Sequence, residues 1–246
     1  MVLRRVAHAV FLGCAIVIVA PHMVRADPRA VVELFTSQGC SSCPPADQLL
    51  GELSSDPSLV VLSLPIDYWD YLGWKDTLAD PWNSARQRAY ARNRGDRQVY
   101  TPQVVINGTV HALGSDRAGI ERAIVQTAHH SGRLSVPIQV SLADGKIQVA
   151  AAESDENGAA QIWLCAFTKA IPIVITRGEN RGRTITYHNV ARHWLKLGEW
   201  KGKAATWSVP VGTLNGADVD GAAIIMQSGS ADQPSTILGA ATVALH

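Results

Sequence analysis

The sequence predicts an α/β domain over residues 27–133 followed by an all-β, sandwich-like domain over residues 134–246, on three observations. Apolar runs that suit strands alternate with helical stretches as far as Arg133. Beyond it, short alternating segments take over, separated by glycine-rich turns. Between the first strand and the first helix stand Cys40 and Cys43, with two residues between them.

Residues 1–26 precede both domains. Arg4 and Arg5 charge the start, Val10 to Ala20 form a short apolar run, and Val24-Arg25-Ala26 leads to Asp27. This is the order of a secretory signal peptide, and the run is short for a membrane span. Its removal would take away Cys14, Arg4, Arg5 and Arg25. The expected location is periplasmic or secreted, with no membrane contact after cleavage, because no later stretch is long and apolar enough to span.

The first strand is Ala30 to Thr36, apolar and rich in β-branched residues. Ser37-Gln38-Gly39 leads to Cys40-Ser41-Ser42-Cys43-Pro44-Pro45. Ala46, Leu49, Leu50 and Leu53 then share one helical face, with the prolines in the tolerant first turn. Leu59 to Ile66 is a second strand. An aromatic excursion follows, with Tyr68, Trp69, Tyr71 and Trp74, then a helix from Pro81 to about Arg94 that Gly95 stops. Gln103 to Ile106 and Val110 to Leu113 form a hairpin about Asn107-Gly108. Ser115 is the expected cap of a last helix whose Ile120, Ala123, Ile124 and Thr127 share a face.

In the second half, Ser135 to Leu142 and Lys146 to Ala150 flank the turn Ala143-Asp144-Gly145. Gln161 to Thr168, Thr184 to Val190, Ala204 to Val211, Gly221 to Gln227 and Thr236 to Leu245 are further strands. Alternation fails around His188 to Leu197, which reads equally as a short helix.

The 246 residues are 47% hydrophobic and 17% charged, enough for an ordinary core. A formal charge of +1 gives no electrostatic reason to expect nucleic acid or an anionic membrane as partner. Function must come from a site. Two cysteines at a helix N-terminus can close a small disulfide ring, and the positive helix end stabilises a thiolate that exchanges with other disulfides. Cys40 is the expected exposed attacker and Cys43 the buried resolving thiol. The same spacing also serves a structural disulfide or thiol metal ligands. Zinc would need two further ligands, with His188 and His193 far along the chain, and copper would call on His111.

With Thr101-Pro102 before a short strand and an Asn-Gly turn, the first domain resembles the thioredoxin superfamily. The stretches VVELFTSQGCSSCPPAD (31–47), PIDYWDYLGWKDTLADP (65–81), VYTPQVVINGT (99–109) and ITRGENRGRTITYHNVAR (175–192) resemble the exported bacterial family DUF1223. The resemblance implies an α/β thioredoxin-like domain in which Pro102 is cis and, with Thr101, lies against the cysteine pair. It implies a thiol–disulfide oxidoreductase that exchanges disulfides with protein thiols or disulfides and with a redox partner. No cofactor and no metal are expected. The chain has Gly39 where classical thioredoxins have an aromatic residue, and Ser41-Ser42 for their Gly-Pro. The resemblance therefore carries no direction of electron flow.

Glu33, in the strand leading to the cysteines, is either a base for Cys43 or a solvent-facing residue. The excursion aromatics read as packing sooner than as a site rim. Arg86, Arg88, Arg92 and Arg94 read as a solvated helix face, and Cys165 as a buried strand residue. Arg177, Glu179, Asn180, Arg183 and Tyr187 form a dense polar cluster, either a binding surface or a self-bonded turn.

Overall fold

Ala30–Thr36 is the spine of the molecule: all seven residues are buried, as expected of a strand covered on both faces. A computed structural model describes residues 27–155, 158–214 and 218–246. The secretory-signal reading of residues 1–26 lies outside the described residues. In chain order, β1 (Ala30–Thr36), α1 (Pro44–Leu53), β2 (Leu59–Pro65), α2 (Pro81–Arg94), β3 (Gln103–Ile106), β4 (Val110–Leu113) and α3 (Arg117–Thr127) come first. Asp80 caps α2 by accepting from the Trp82 N–H, and Gly95, at φ 78°, ends it. The cap residue of α3 is Asp116, one position beyond the expected Ser115.

Then come β5 (Ile138–Ala143), β6 (Lys146–Ala151), β7 (Ala160–Val174), β8 (Thr184–Trp200), β9 (Ala205–Pro210), β10 (Gly221–Ser230) and β11 (Gln233–Ala244). The segment His188 to Leu197 is strand, not helix. Its alternation fails because the β7–β8 register shifts at Ile162/Trp163 and again at Ala166/Phe167. Each shift leaves an extra residue on β8, Leu197 and Arg192, which resets the two-residue period.

A mixed sheet runs through both halves of the chain in the order β11-β10-β7-β8-β2-β1-β3-β4, with a separate antiparallel sheet β5-β6-β9. β1 and β2 are parallel, and β3 runs antiparallel to β1. A single parallel bridge, Ser63 to Val190, joins β2 to β8. The change of pattern near residue 133 is therefore crossed by hydrogen bonds within one sheet. The sheet also curls, because the Ile237 N–H in β11 donates to the Asn107 carbonyl beside β3.

Four apolar clusters follow from the strand alternation. Val32 and Leu34 face Leu49, Leu50 and Ile120 under α1 and α3. Val31 and Phe35 face the other way, toward Tyr90 of α2 and toward Cys165, Ile225 and Ile237 from the second half. The small sheet packs Ile147 and Val149 on Ile162, Leu164 and Ile224. The fourth cluster, Leu78, Ile175, Ile185, Tyr187 and Val190 with Trp74 against it, seats the outer end of the β7–β8 hairpin. That hairpin carries its turn, residues 175–183, back to the C-terminal end of β1.

Candidate functional site

Cys40 and Cys43 are joined in a disulfide, with Cα atoms 5.4 Å apart. Cys43 is the N-cap residue of α1, and its carbonyl accepts from the N–H groups of Ala46 at 2.8 Å and Asp47 at 3.1 Å. Cys40 lies one turn earlier, its N–H bonded to the Ser37 carbonyl. The sequence leads one to expect an exposed Cys40, but it is only 4% exposed, and Cys43 is fully buried. Ser41 and Ser42 are exposed beside it, with Ser42 Oγ 3.4 Å from Cys40 Sγ. Two walls on the loop account for the burial.

Trp69 builds the first wall. Its Cβ and carbonyl stand 3.3 Å from where a side chain on Gly39 would begin, so any larger residue there would push Trp69 back by a few tenths of an ångström. Its indole Nε1 donates to Thr101 Oγ1 at 2.7 Å, tying the cysteine loop to the residue before Pro102. The Thr101–Pro102 bond is cis. Gly114 leaves the space in which Pro102 and Ala46 of α1 approach each other. Tyr71 stacks on Trp69 and is 76% exposed. Tyr68, Trp69 and Trp74 pack against core clusters, as expected, while Tyr71 stays at the surface.

Asn180, on the β7–β8 turn, builds the second wall. Its Nδ2 donates to the Gln38 carbonyl at 3.0 Å and the Cys40 carbonyl at 2.8 Å. Trp74 Nε1 donates to Gln38 Oε1, and the Trp74 Cβ rests against Gly178, whose φ of +71° suits glycine. Asp76 accepts from the Gln38 N–H at 2.7 Å. Burial raises Asp76 to about 6, although its bonds to the Gln38 and Leu78 N–H groups oppose the shift.

Asp47 is buried in the first turn of α1, four residues after Cys43. One oxygen accepts from Thr36 Oγ1 at 2.8 Å, and the other has no partner among the described residues. Burial pushes this carboxyl well above its ordinary range against the Thr36 bond, and the nearby Asp76 adds to the rise. Burial likewise raises the Tyr187 hydroxyl, with Asp47 and Asp76 contributing. Burial thus favours the neutral form of the Asp47 carboxyl.

The model of the family "Protein of unknown function (DUF1223)" matches residues 31–227, most of the chain. The chain belongs to the DUF1223 family. Protein AGR_C_4864 from Agrobacterium tumefaciens, known from an X-ray crystal structure, is similar at a TM-score of 0.79 and 32% identity. The match covers 89% of this chain and 95% of that one. HBP35 of Porphyromonas gingivalis matches at a TM-score of 0.56 and 10% identity, over 89% of this chain and 76% of that one, a likeness of fold alone. Among curated proteins, none matches.

In this DUF1223 protein Glu33 stands apart from the cysteines. It is buried on the α2 face of β1, where Arg86 Nε donates to one oxygen at 2.7 Å and the Tyr90 hydroxyl to the other at 2.6 Å. Arg86 also donates to Tyr90 and to Gln227 Oε1 of β10. Arg86 is therefore not part of a solvated helix face, whereas Arg88 and Arg92 are exposed. Both oxygens of Glu33 are occupied, whereas Asp47 is the buried carboxyl joined to Cys43 through its backbone N–H. The signal for Asp47 was its spacing of four from Cys43, which puts both on one helical face.

Cys165 is buried among strand residues. The histidines weighed as metal ligands are dispersed: the His188 ring lies over Gly51, and His111 contacts Tyr100 and Asp96. Among the described residues, no group of three or more His, Cys, Asp or Glu side chains is placed to hold a metal ion.

Proposed function

We propose that this protein is a thiol–disulfide oxidoreductase of the thioredoxin-like type, exchanging disulfides with protein substrates outside the cytoplasm. The observation that carries the reading is the Cys40–Cys43 disulfide at the start of α1, with the buried Asp47 carboxyl in the first turn of that helix. The strand order β2-β1-β3-β4, with α1 following the cysteines and Pro102 leading into β3, supports the thioredoxin-like assignment. The charged and apolar order of residues 1–26 supports export.

In the oxidising direction, a substrate thiolate attacks Cys40 Sγ, the less buried sulfur. A mixed disulfide forms and the Cys43 thiolate leaves, stabilised by the N–H groups that open α1. Asp47, four residues on in the same helix, is a buried carboxyl whose burial favours the neutral form. A second substrate thiolate then attacks the substrate sulfur and releases Cys40. The substrate loses two electrons and gains a disulfide, and the protein becomes a dithiol. The reverse sequence reduces a substrate disulfide.

Cys43→Ser should accumulate mixed disulfides with partner proteins, seen as adducts on non-reducing gels that dissolve in reductant. Cys40→Ser should accumulate none, since the attacking sulfur is gone. Equal trapping by both variants, or none by either in periplasmic extract, would sink the assignment.

A further inference from the structure

The β7–β8 turn carries charge that the exchange chemistry does not use. Arg177, Arg181 and Arg183 are all exposed, and among the described residues none of them pairs with a carboxylate. Asn180, in their midst, is anchored to the carbonyl of Cys40. Consecutive Cα atoms are about 3.8 Å apart, so no arginine Cα is more than about 11 Å of chain from that anchor. Lys75, exposed beside the Trp74 that rests on Gly178, adds a fourth cation. Glu179 is the exposed carboxylate of the turn. Asp47 and Asp76, which face it from α1 and the excursion, are buried, and burial favours their neutral forms. The rim beside the disulfide is thus basic in a chain whose overall charge is close to neutral.

Arg183 also stands at an open groove of about 710 Å³, lined by Pro44, Gln48 and Glu52 of α1 and by Thr184 and His188 of β8. Pro44, the residue after Cys43, is the groove's lining residue nearest in sequence to the disulfide. Glu52 is already paired with Arg117, which leaves Arg183 as the uncompensated charge there.

We infer that Arg177, Arg181 and Arg183 recruit an acidic stretch flanking the reactive cysteine of a protein substrate, and so set substrate choice. The inference rests on the exchange reading and deepens it by naming the class of partner. The physical basis is complementarity: rim charges at an exposed site mainly speed encounter and select partners, and they do so within a Debye length of about 8–10 Å.

The test uses the oxidised protein and two synthetic peptides of one sequence, with serine at the cysteine position and four flanking residues either Glu or Gln. Fluorescence anisotropy at low salt should show the Glu peptide binding about tenfold more tightly. The preference should vanish in 0.5 M salt, a concentration on the order of those that collapse the Debye length to a few ångströms. It should also vanish in the variant Arg177→Gln/Arg181→Gln/Arg183→Gln, with circular dichroism unchanged. Equal binding of the two peptides, or a preference that survives in the variant, overturns the inference. So does single-stranded DNA that outcompetes the Glu peptide, since the rim would then be a general polyanion surface. Exchange with cysteine-bearing peptides is followed separately. Exchange without charge preference removes this inference alone. Charge-selective binding without exchange removes the redox reading and leaves the rim.

Discussion

Two buried carboxyls only a short way apart in the chain have very different partners. Glu33 is saturated by Arg86 and Tyr90, whereas Asp47 has one hydroxyl partner and an oxygen with none. Removing one member of a buried, hydrogen-bonded ion pair leaves an uncompensated charge. Glu33→Ala should accordingly cost about 3–5 kcal/mol, read from the urea midpoint. Arg88→Ala, on the exposed face of the same helix, should stay within about 0.5 kcal/mol. For Asp47 the sign runs the other way from an ordinary paired carboxylate. Its folded-state value lies above the unfolded value of about 3.9, so the folded protein binds the proton more tightly. That contribution is complete below about pH 4 and is lost as pH rises toward the folded value. Asp76, raised to about 6, does the same between about pH 4 and 6. Asp47→Asn keeps an acceptor for Thr36 and removes the titration. Urea midpoints from pH 4 to 8 should fall less steeply in the variant than in the parent. Parallel curves would show that Asp47 is ionised in the folded protein.

Among the elements, the β7–β8 hairpin shows best where the sequence is readable and where it is not. Its two strands were visible as β-branched, alternating runs, since that period is local. Its length was hidden by the two bulges on β8, and its destination by a separation of 140 residues between Asn180 and Cys40. The polar turn therefore read equally as a binding surface or a self-bonded turn. The buried polar face of α2 was hidden for a different reason, although the helix itself was legible. Asn83, Arg86 and Gln87 are polar residues that turn inward, and only their partners in other elements make that stable. Asn180→Ala tests whether the hairpin holds the cysteine loop. It removes both donors to the carbonyls of Gln38 and Cys40, a loss of about 1–3 kcal/mol if water does not replace them. Amide exchange should accelerate over residues 37–43 and 178–183 and stay unchanged in the small β5-β6-β9 sheet. Uniform acceleration everywhere would mean a general loss of stability, with no particular coupling of turn to loop.

At the scale of the molecule, the change of sequence pattern at residue 133 marks no break in the packing. Alternation of strands and helices before it, and of short strands after it, was legible because each element carries its own period. The joining of the halves was not, because the β2–β8 contact is one bridge between Ser63 and Val190 with no local signature. The consequence is strong, however. One apolar cluster draws Val31, Phe35, Leu62 and Tyr90 from the first half and Cys165, Ile225 and Ile237 from the second. Gln227 of β10 completes the hydrogen bonds of Arg86 and Tyr90. A fragment of residues 27–133 would expose that face and an open β2 edge, and would leave Arg86 and Tyr90 each short of a buried partner. Exposed apolar faces and unpaired edges of this kind are what folded chains avoid. The fragment should therefore lack the dispersed amide spectrum of a folded domain, with fewer protected amides in β1 than the whole chain shows. In the whole chain, tryptophan fluorescence and far-ultraviolet circular dichroism should report one coincident urea transition, the mark of cooperative unfolding. Two separated transitions, or a well-dispersed spectrum for 27–133 alone, would show that the shared sheet is a contact between two independent domains.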